Sequence, residues 1–109
     1  MEAGKLDRRI TLQRYGITYN QDNEPLEAWE DIATVWASVA YVSDGEKIRA
    51  AQVGASVTVR FQIRYSSLVA DLSAKDRVRF DGHIFDLSGV KPLGRLQGFE
   101  LTAASQVNG

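Results

Sequence analysis

The chain has 109 residues, 44% of them hydrophobic and 25% charged, which suits one soluble domain with a single core. Its 13 Lys and Arg against 14 Asp and Glu give a formal net charge of −1, without the basic excess of a protein that grips nucleic acid through its phosphates. The absence of cysteine excludes disulfides and thiolate metal sites; no apolar run approaches the ~20 residues of a membrane helix; Met1 to Lys5 leads into no apolar segment, so no secretory signal is expected and synthesis in the cytoplasm fits.

In chain order, Ile10 and Leu12 alternate with Arg9, Thr11 and Gln13 and predict a first strand. Between Tyr15 and Leu26 stand Gly16, Asn20, Asp22, Asn23 and Pro25, a composition that predicts an extended, exposed loop. From Trp29 to Val42 the chain is rich in β-branched and aromatic residues, with Val35, Ala37, Val39 and Tyr41 on one parity of a second strand. Trp36 has the opposite parity, so this strand is either covered on both faces or offers Trp36 to a subunit contact. Ser43 and Glu46 have the spacing of a capping box, Ile48, Ala51 and Gln52 fall on one helical face, and Gly54 suits the C′ position. A helix of about two to three turns is expected there, marginal unless it docks.

The strongest signal runs from Val57 to Tyr65. Val57, Val59, Phe61, Ile63 and Tyr65 alternate strictly with Thr58, Arg60, Gln62 and Arg64, the pattern of a half-buried strand. A single turn is expected between Ser67 and Leu72. Val78 to Phe80 and His83 to Leu87 flank Asp81-Gly82 and predict a hairpin on a type I′ turn. Pro92 to Gly98 is expected to be a second loop; Phe99, Leu101 and Ala103 mark a last strand; the polar tail from Ser105 to Gly109 is expected to fray. The fold expected for this single domain, residues 1–109, is mainly β: a small β-barrel or sandwich with one short helix inserted between the central strands, and long exposed loops.

No catalytic constellation emerges. His83, the single histidine, flanks a turn, and nothing in the pattern brings it a nucleophile and an orienting acid. Asp44, Glu46, Asp71, Asp76, Asp81, Asp86 and Glu100 are scattered, without glycosidase-like pairing or EF-hand spacing. The glycines form no phosphate loop. No enzyme activity, cofactor or metal is expected. Arg60 and Arg64 on one strand, and Arg77 and Arg79 around Val78, offer a surface for nucleic acid or an acidic partner; with the charge nearly balanced, a solvated outer face is the simpler reading. Trp29 and Trp36 are either interface anchors or core residues.

Taken together, these motifs resemble the head–tail joining (head-closure, or stopper) proteins of siphophage-like particles and gene transfer agents. The opening Gly4-Lys-Leu-Asp-Arg-Arg-Ile-Thr-Leu-Gln13, then Thr34-Val-Trp-Ala-Ser-Val39, then Val57-Thr-Val-Arg-Phe-Gln-Ile-Arg-Tyr65, then Asp76-Arg-Val-Arg-Phe-Asp-Gly-His-Ile-Phe-Asp-Leu-Ser-Gly-Val90, and finally Phe99-Glu-Leu-Thr follow the family's order. The sequence departs from it at Val59, where a polar residue such as His is common, and between Ser66 and Lys75, which lacks a Pro-Gly.

The resemblance implies a β-barrel subunit of the virion neck, assembled in the host cytoplasm into a ring, typically dodecameric, below the portal and its adaptor. Such a ring closes the filled head and presents a surface to the tail or its terminator, while DNA passes through the channel without sequence-specific binding. It also implies that the segment between the second and third main strands projects toward the channel and retains DNA. Here that segment holds Ser43, Asp44, Glu46, Lys47, Ile48, Arg49, Ala51 and Gln52. Tyr15, Tyr19, Asn20, Asp22 and Asn23 become candidates for an adaptor or tail contact, and Trp36, Arg60 and Arg64 for a subunit interface.

Two other readings compete. A tail-completion or tail-terminator protein would be built from the same kind of small β ring. An SH3-like or OB-like binding module is a different class; it calls for aromatic platforms interleaved with basic residues, but Phe61 and Tyr65 share one face while Arg60 and Arg64 lie on the other.

Overall fold

Alternation along the chain becomes a closed barrel. The computed structural model describes residues 6–41 and 57–105. It contains β1 (Arg8–Tyr19), β2 (Pro25–Tyr41), β3 (Thr58–Arg64), β4 (Arg77–Phe80), β5 (His83–Leu93) and β6 (Gly98–Ser105), with a one-turn 3-10 helix at Ser67–Val69. Neighbours around the barrel run β1-β2-β3-β6-β5-β4, and every pairing is antiparallel. Closure removes the open edges that a sheet of this size would otherwise expose.

Val59, Phe61 and Ile63 of β3 point inward and are fully or almost fully buried, as their alternation predicts. They meet Ile10 and Leu12 of β1, Val78 of β4, Phe85 and Leu87 of β5, and Leu101 and Ala103 of β6. Phe61 stands at the centre, edge-on to Phe80 (ring centroids 5.6 Å apart) and Phe85 (5.8 Å). The predicted hairpin is present: Phe80 pairs with His83, and Asp81 and Gly82 take φ of 54° and 78°, the positive values a type I′ turn needs. The turn expected after Ser66 is the 3-10 helix, which buries Val69.

Two expectations change. Residues 15–26 are not a loop. β1 continues to Tyr19 and β2 begins at Pro25, in register from Gln13↔Asp31 to Tyr19↔Pro25, so the irregular chain shrinks to the turn at 20–24. Turn-forming residues dominate the composition of that stretch, but Tyr15, Ile17 and Tyr19 at every second position give it a strand period beneath that signal. The loop expected at 92–98 is likewise shorter: Pro92 pairs with Phe99 and Leu93 with Gly98, leaving only 94–97 as a turn. Thr11 and Gln13, the polar parity of β1, are buried. Strands β2 and β4 flank them, and their side chains are closed over by hydrogen bonds: Thr11 Oγ1 to Thr34 Oγ1 at 3.1 Å, and Gln13 Nε2 donating to Asp31 Oδ1 at 2.8 Å. The helix expected around residues 43–54 lies outside the described residues.

A bulge between Leu12 and Gln13 shifts the β1–β2 register at the barrel rim. Strand β4 accompanies β1 only from Thr11 to Gln13, and β3 accompanies β2 only from Ala37 to Tyr41. Beyond that, residues 14–30 form a two-stranded ribbon leaving the barrel. At ~3.3 Å per residue its six outer positions on β1 carry it about 20 Å further.

Candidate interaction surface

The ribbon begins at an ion-pair clamp. Arg14 follows the bulge. Its Nε donates to Asp76 Oδ1 (3.0 Å) and its Nη2 to Asp76 Oδ2 (3.1 Å), while Nη1 reaches Asp71 Oδ2 (3.0 Å). Asp76 is buried just ahead of β4 and also accepts the Ser73 backbone N–H at 3.1 Å. The hydrogen bonds that Arg14 donates to Asp76 first, and then to Asp71, push its pKa above its already high ordinary value; the contact with Asp71 holds that carboxyl below its usual range. The arrangement ties the ribbon root to the 70–76 segment.

Past the root, one ribbon face carries Tyr15, Ile17 and Tyr19 of β1 opposite Trp29, Glu27 and Pro25 of β2. Tyr15 packs edge-on to Trp29 with centroids 5.5 Å apart, and its hydroxyl donates to Glu27 Oε2, which raises the phenol pKa. Arg77 stacks over Trp29 at 4.0 Å and donates from Nε to Gln13 Oε1 at 2.8 Å. Trp29 is thus half-buried and braces the ribbon, between the two roles its sequence allowed. The turn is built by Asn20, whose Oδ1 accepts the backbone N–H of Asp22 (3.0 Å) and Glu24 (2.9 Å), with Asn23 at φ 60°. Residues 15–30 include Asp22, Glu24, Glu27 and Glu30 and no Lys or Arg.

The other feature is a shallow open pocket of about 480 Å³ where β1, β2 and the end of β3 meet, lined by Leu6, Arg9, Val35, Trp36, Arg64, Tyr65 and Ser66. Arg9 lies opposite Trp36 in the ladder and its guanidinium sits 4.8 Å from the ring centroid. Trp36 is 51% exposed, so its odd parity leaves it on the outer surface. Arg8 beside this pocket pairs with Asp7 at 3.9 Å; among the described residues neither Arg9 nor Arg64 has an acidic partner.

Of the three predicted interface residues, the structure brings Trp36 and Arg64 into one pocket and sets Arg60 further along β3, opposite Ala40. Tyr15 and Tyr19 stand on the ribbon face, while Asn20, Asp22 and Asn23 form its turn, where Asn20 has a structural task. Ser43, Asp44, Glu46, Lys47, Ile48, Arg49, Ala51 and Gln52 lie outside the described residues. Sequence reading missed Arg9 and Tyr65 in the pocket and Ile17 on the ribbon; the β1–β2 register places Arg9 and Ile17, and the pairing of β3 with β2 brings Tyr65 to the pocket, neither of them visible in the sequence. Phe61 is no stacking platform, because it is wholly buried in the core. Among the described residues no group of His, Asp and Glu is placed to hold a metal.

A family model described as phage head completion protein matches residues 1–105. The solution structure of a protein from Shigella flexneri 2a is 31% identical, with a TM-score of 0.70 and full coverage of both chains. A chain from the virion of a native gene transfer agent particle is 19% identical with a TM-score of 0.62, covering 96% of this chain and 99% of that one; at that identity the likeness is one of fold. No curated protein matches the sequence.

Proposed function

The chain belongs to the phage head completion protein family, a structural protein of the virion at the head–tail region, and from that premise we propose that it forms the ring that closes the DNA-filled head and receives the tail. The observation that carries this reading is the family match across nearly the whole chain, joined to a barrel whose outer surface bears a long ribbon and an aromatic–arginine pocket. A chain of the same fold stands in a gene transfer agent virion, which supports a neck role. Closed barrels suit such a ring because they present side chains rather than open backbone edges to their neighbours, so contacts are chosen by shape and charge.

Within this reading the segment 43–56, between β2 and β3, is the part assigned to DNA retention. Its near balance of charge, Lys47 and Arg49 against Asp44 and Glu46, would let DNA leave without being trapped. The portal adaptor and the tail or its terminator are the expected partners on the two sides of the ring. Deleting the gene and imaging the particles tests the assignment. Filled or leaking heads separated from finished tails are the expected result; normal tailed particles would end it. Glycine substitution at Ile48 and Ala51 should lower DNA retention, and unchanged DNA content and titre would remove the retention role while leaving closure intact.

A further inference from the structure

The ribbon and the pocket are complementary in both charge and surface type. Residues 15–30 carry acidic side chains and no basic ones, with Tyr19 66% exposed and Ile17 and Leu26 also open to solvent. The pocket offers Arg9, Arg64, Trp36 and Tyr65. A two-stranded ribbon reaching beyond its sheet is poorly stable alone, and its outer residues bury little within their own chain. Exposed aromatics beside carboxylates at one site, and an open tryptophan beside two arginines that have no acidic partner among the described residues at another, make two unlike and complementary patches.

We propose that the ribbon of one copy seats in the Arg9–Trp36–Arg64–Tyr65 pocket of a second copy. In this arrangement Ile17 and Tyr19 lie against Trp36 and Tyr65, and Glu24 and Glu27 face Arg9 and Arg64. Contact between unlike patches is heterologous, so each copy uses its ribbon on one neighbour and its pocket on the other, and repetition closes a ring when the rotation from copy to copy divides a full turn. The aromatic residues supply the buried centre and the arginine–carboxylate pairs set register and exclude the wrong orientation. This inference rests on the ring reading above and names the contact that builds the ring.

The cysteine-free chain allows a direct test. Tyr19→Cys and Ser66→Cys place one thiol on the ribbon and one at the pocket; Ser66 makes no side-chain cap, so the change there is mild. In particles assembled with the doubly substituted chain, oxidation should give a ladder of covalent oligomers beyond the dimer, and either single variant should give none. A product that stops at dimers would overturn the proposal in favour of a two-fold pair. A ring visible in the particles without any ladder would overturn the contact and leave the ring reading standing, whereas particles without a ring would end both. Charge inversion gives a second measurement. Glu24→Arg with Glu27→Arg, or Arg9→Glu with Arg64→Glu, should each lower incorporation into particles roughly tenfold. A chain carrying all four changes should recover it; failure to recover, with each chain folded by circular dichroism, would count against the pairing.

Discussion

Replacing Arg14 by alanine tests how the ribbon is held to the barrel. In the wild-type chain the Asp76 side chain is only 1% exposed, and two of its charged hydrogen bonds come from Arg14. Arg14→Ala leaves that carboxylate with the Ser73 N–H as its remaining donor among the described residues. An uncompensated buried charge costs roughly 3–5 kcal/mol. Arg14 is itself 39% exposed, so water enters the space it vacates and the loss falls to about 2–3 kcal/mol. With a urea slope of about 1.5 kcal/mol/M, the unfolding midpoint should drop by about 1.3–2 M. Asp71→Ala removes only the solvent-facing half of the clamp and should shift the midpoint far less. Urea melts of the two variants followed by tryptophan fluorescence, which reports on Trp29 near the ribbon root, measure both. Equal shifts, or a shift for Arg14→Ala below about 0.3 M, would refute the claim that burial of Asp76 gives the clamp its strength.

The other predictions concern the core, the turns and pH. Phe61→Ala removes the ring at the barrel centre and should cost about 3–5 kcal/mol, read as a fall in Tm by calorimetry. Gly82→Ala forces a side chain into positive φ and should cost about 1 kcal/mol, with Gly82→Asn milder, as urea melts would show. Asn20→Ala removes the acceptor of two turn N–H groups and should cost about 1 kcal/mol, with faster amide hydrogen exchange confined to the ribbon. Because Arg14 holds the folded-state Asp71 carboxyl below its ordinary value, its stabilising contribution is present above the unfolded-state value. It is lost as pH falls through the folded-state value, so wild-type urea midpoints should decline more on acidification below about pH 4 than those of Asp71→Asn.

The barrel was readable where one physical signal acted alone. Between Val57 and Tyr65 burial alone sets the alternation, and at Asp81-Gly82 the turn geometry admits few other residues. At the ribbon two signals overlap, and the loop signal hides the strand. Asn20, Asp22, Asn23 and Pro25 serve a short turn, yet they outweighed the period-two aromatics beside them. The burial of Thr11 and Gln13 was not readable at all: it depends on Asp31, Thr34 and Arg77, brought together by strand pairing and a bulge. Trp36 was half-readable. Its parity set it apart from Val35, Ala37 and Val39 but left cover on both faces and a subunit contact equally open; its neighbour Arg9 is set by the β1–β2 register and Arg64 by the β2–β3 pairing, and neither register follows from composition.

The same register argument separates what stabilises this domain from what it offers to others. Inward residues of all six strands converge on Phe61, and that core stands without the ribbon's outer half. Ile17 and Tyr19 lie beyond the last described strand that accompanies β1, and both are exposed. A monomer that needed only to fold would gain more from ending β1 at the bulge, where β4 stops accompanying it. Instead the chain fixes the ribbon root with a buried carboxylate, an arginine clamp and an Arg77–Trp29 stack, all of which hold direction at a point where the core no longer does. Direction matters for a projection that must meet a fixed receptor, since a freely pivoting ribbon would lose binding energy to ordering each time it docked. Rigid at its root and apolar toward its acidic tip, the ribbon has the build of a pre-oriented contact, and an assembly protein of a phage particle has use for one.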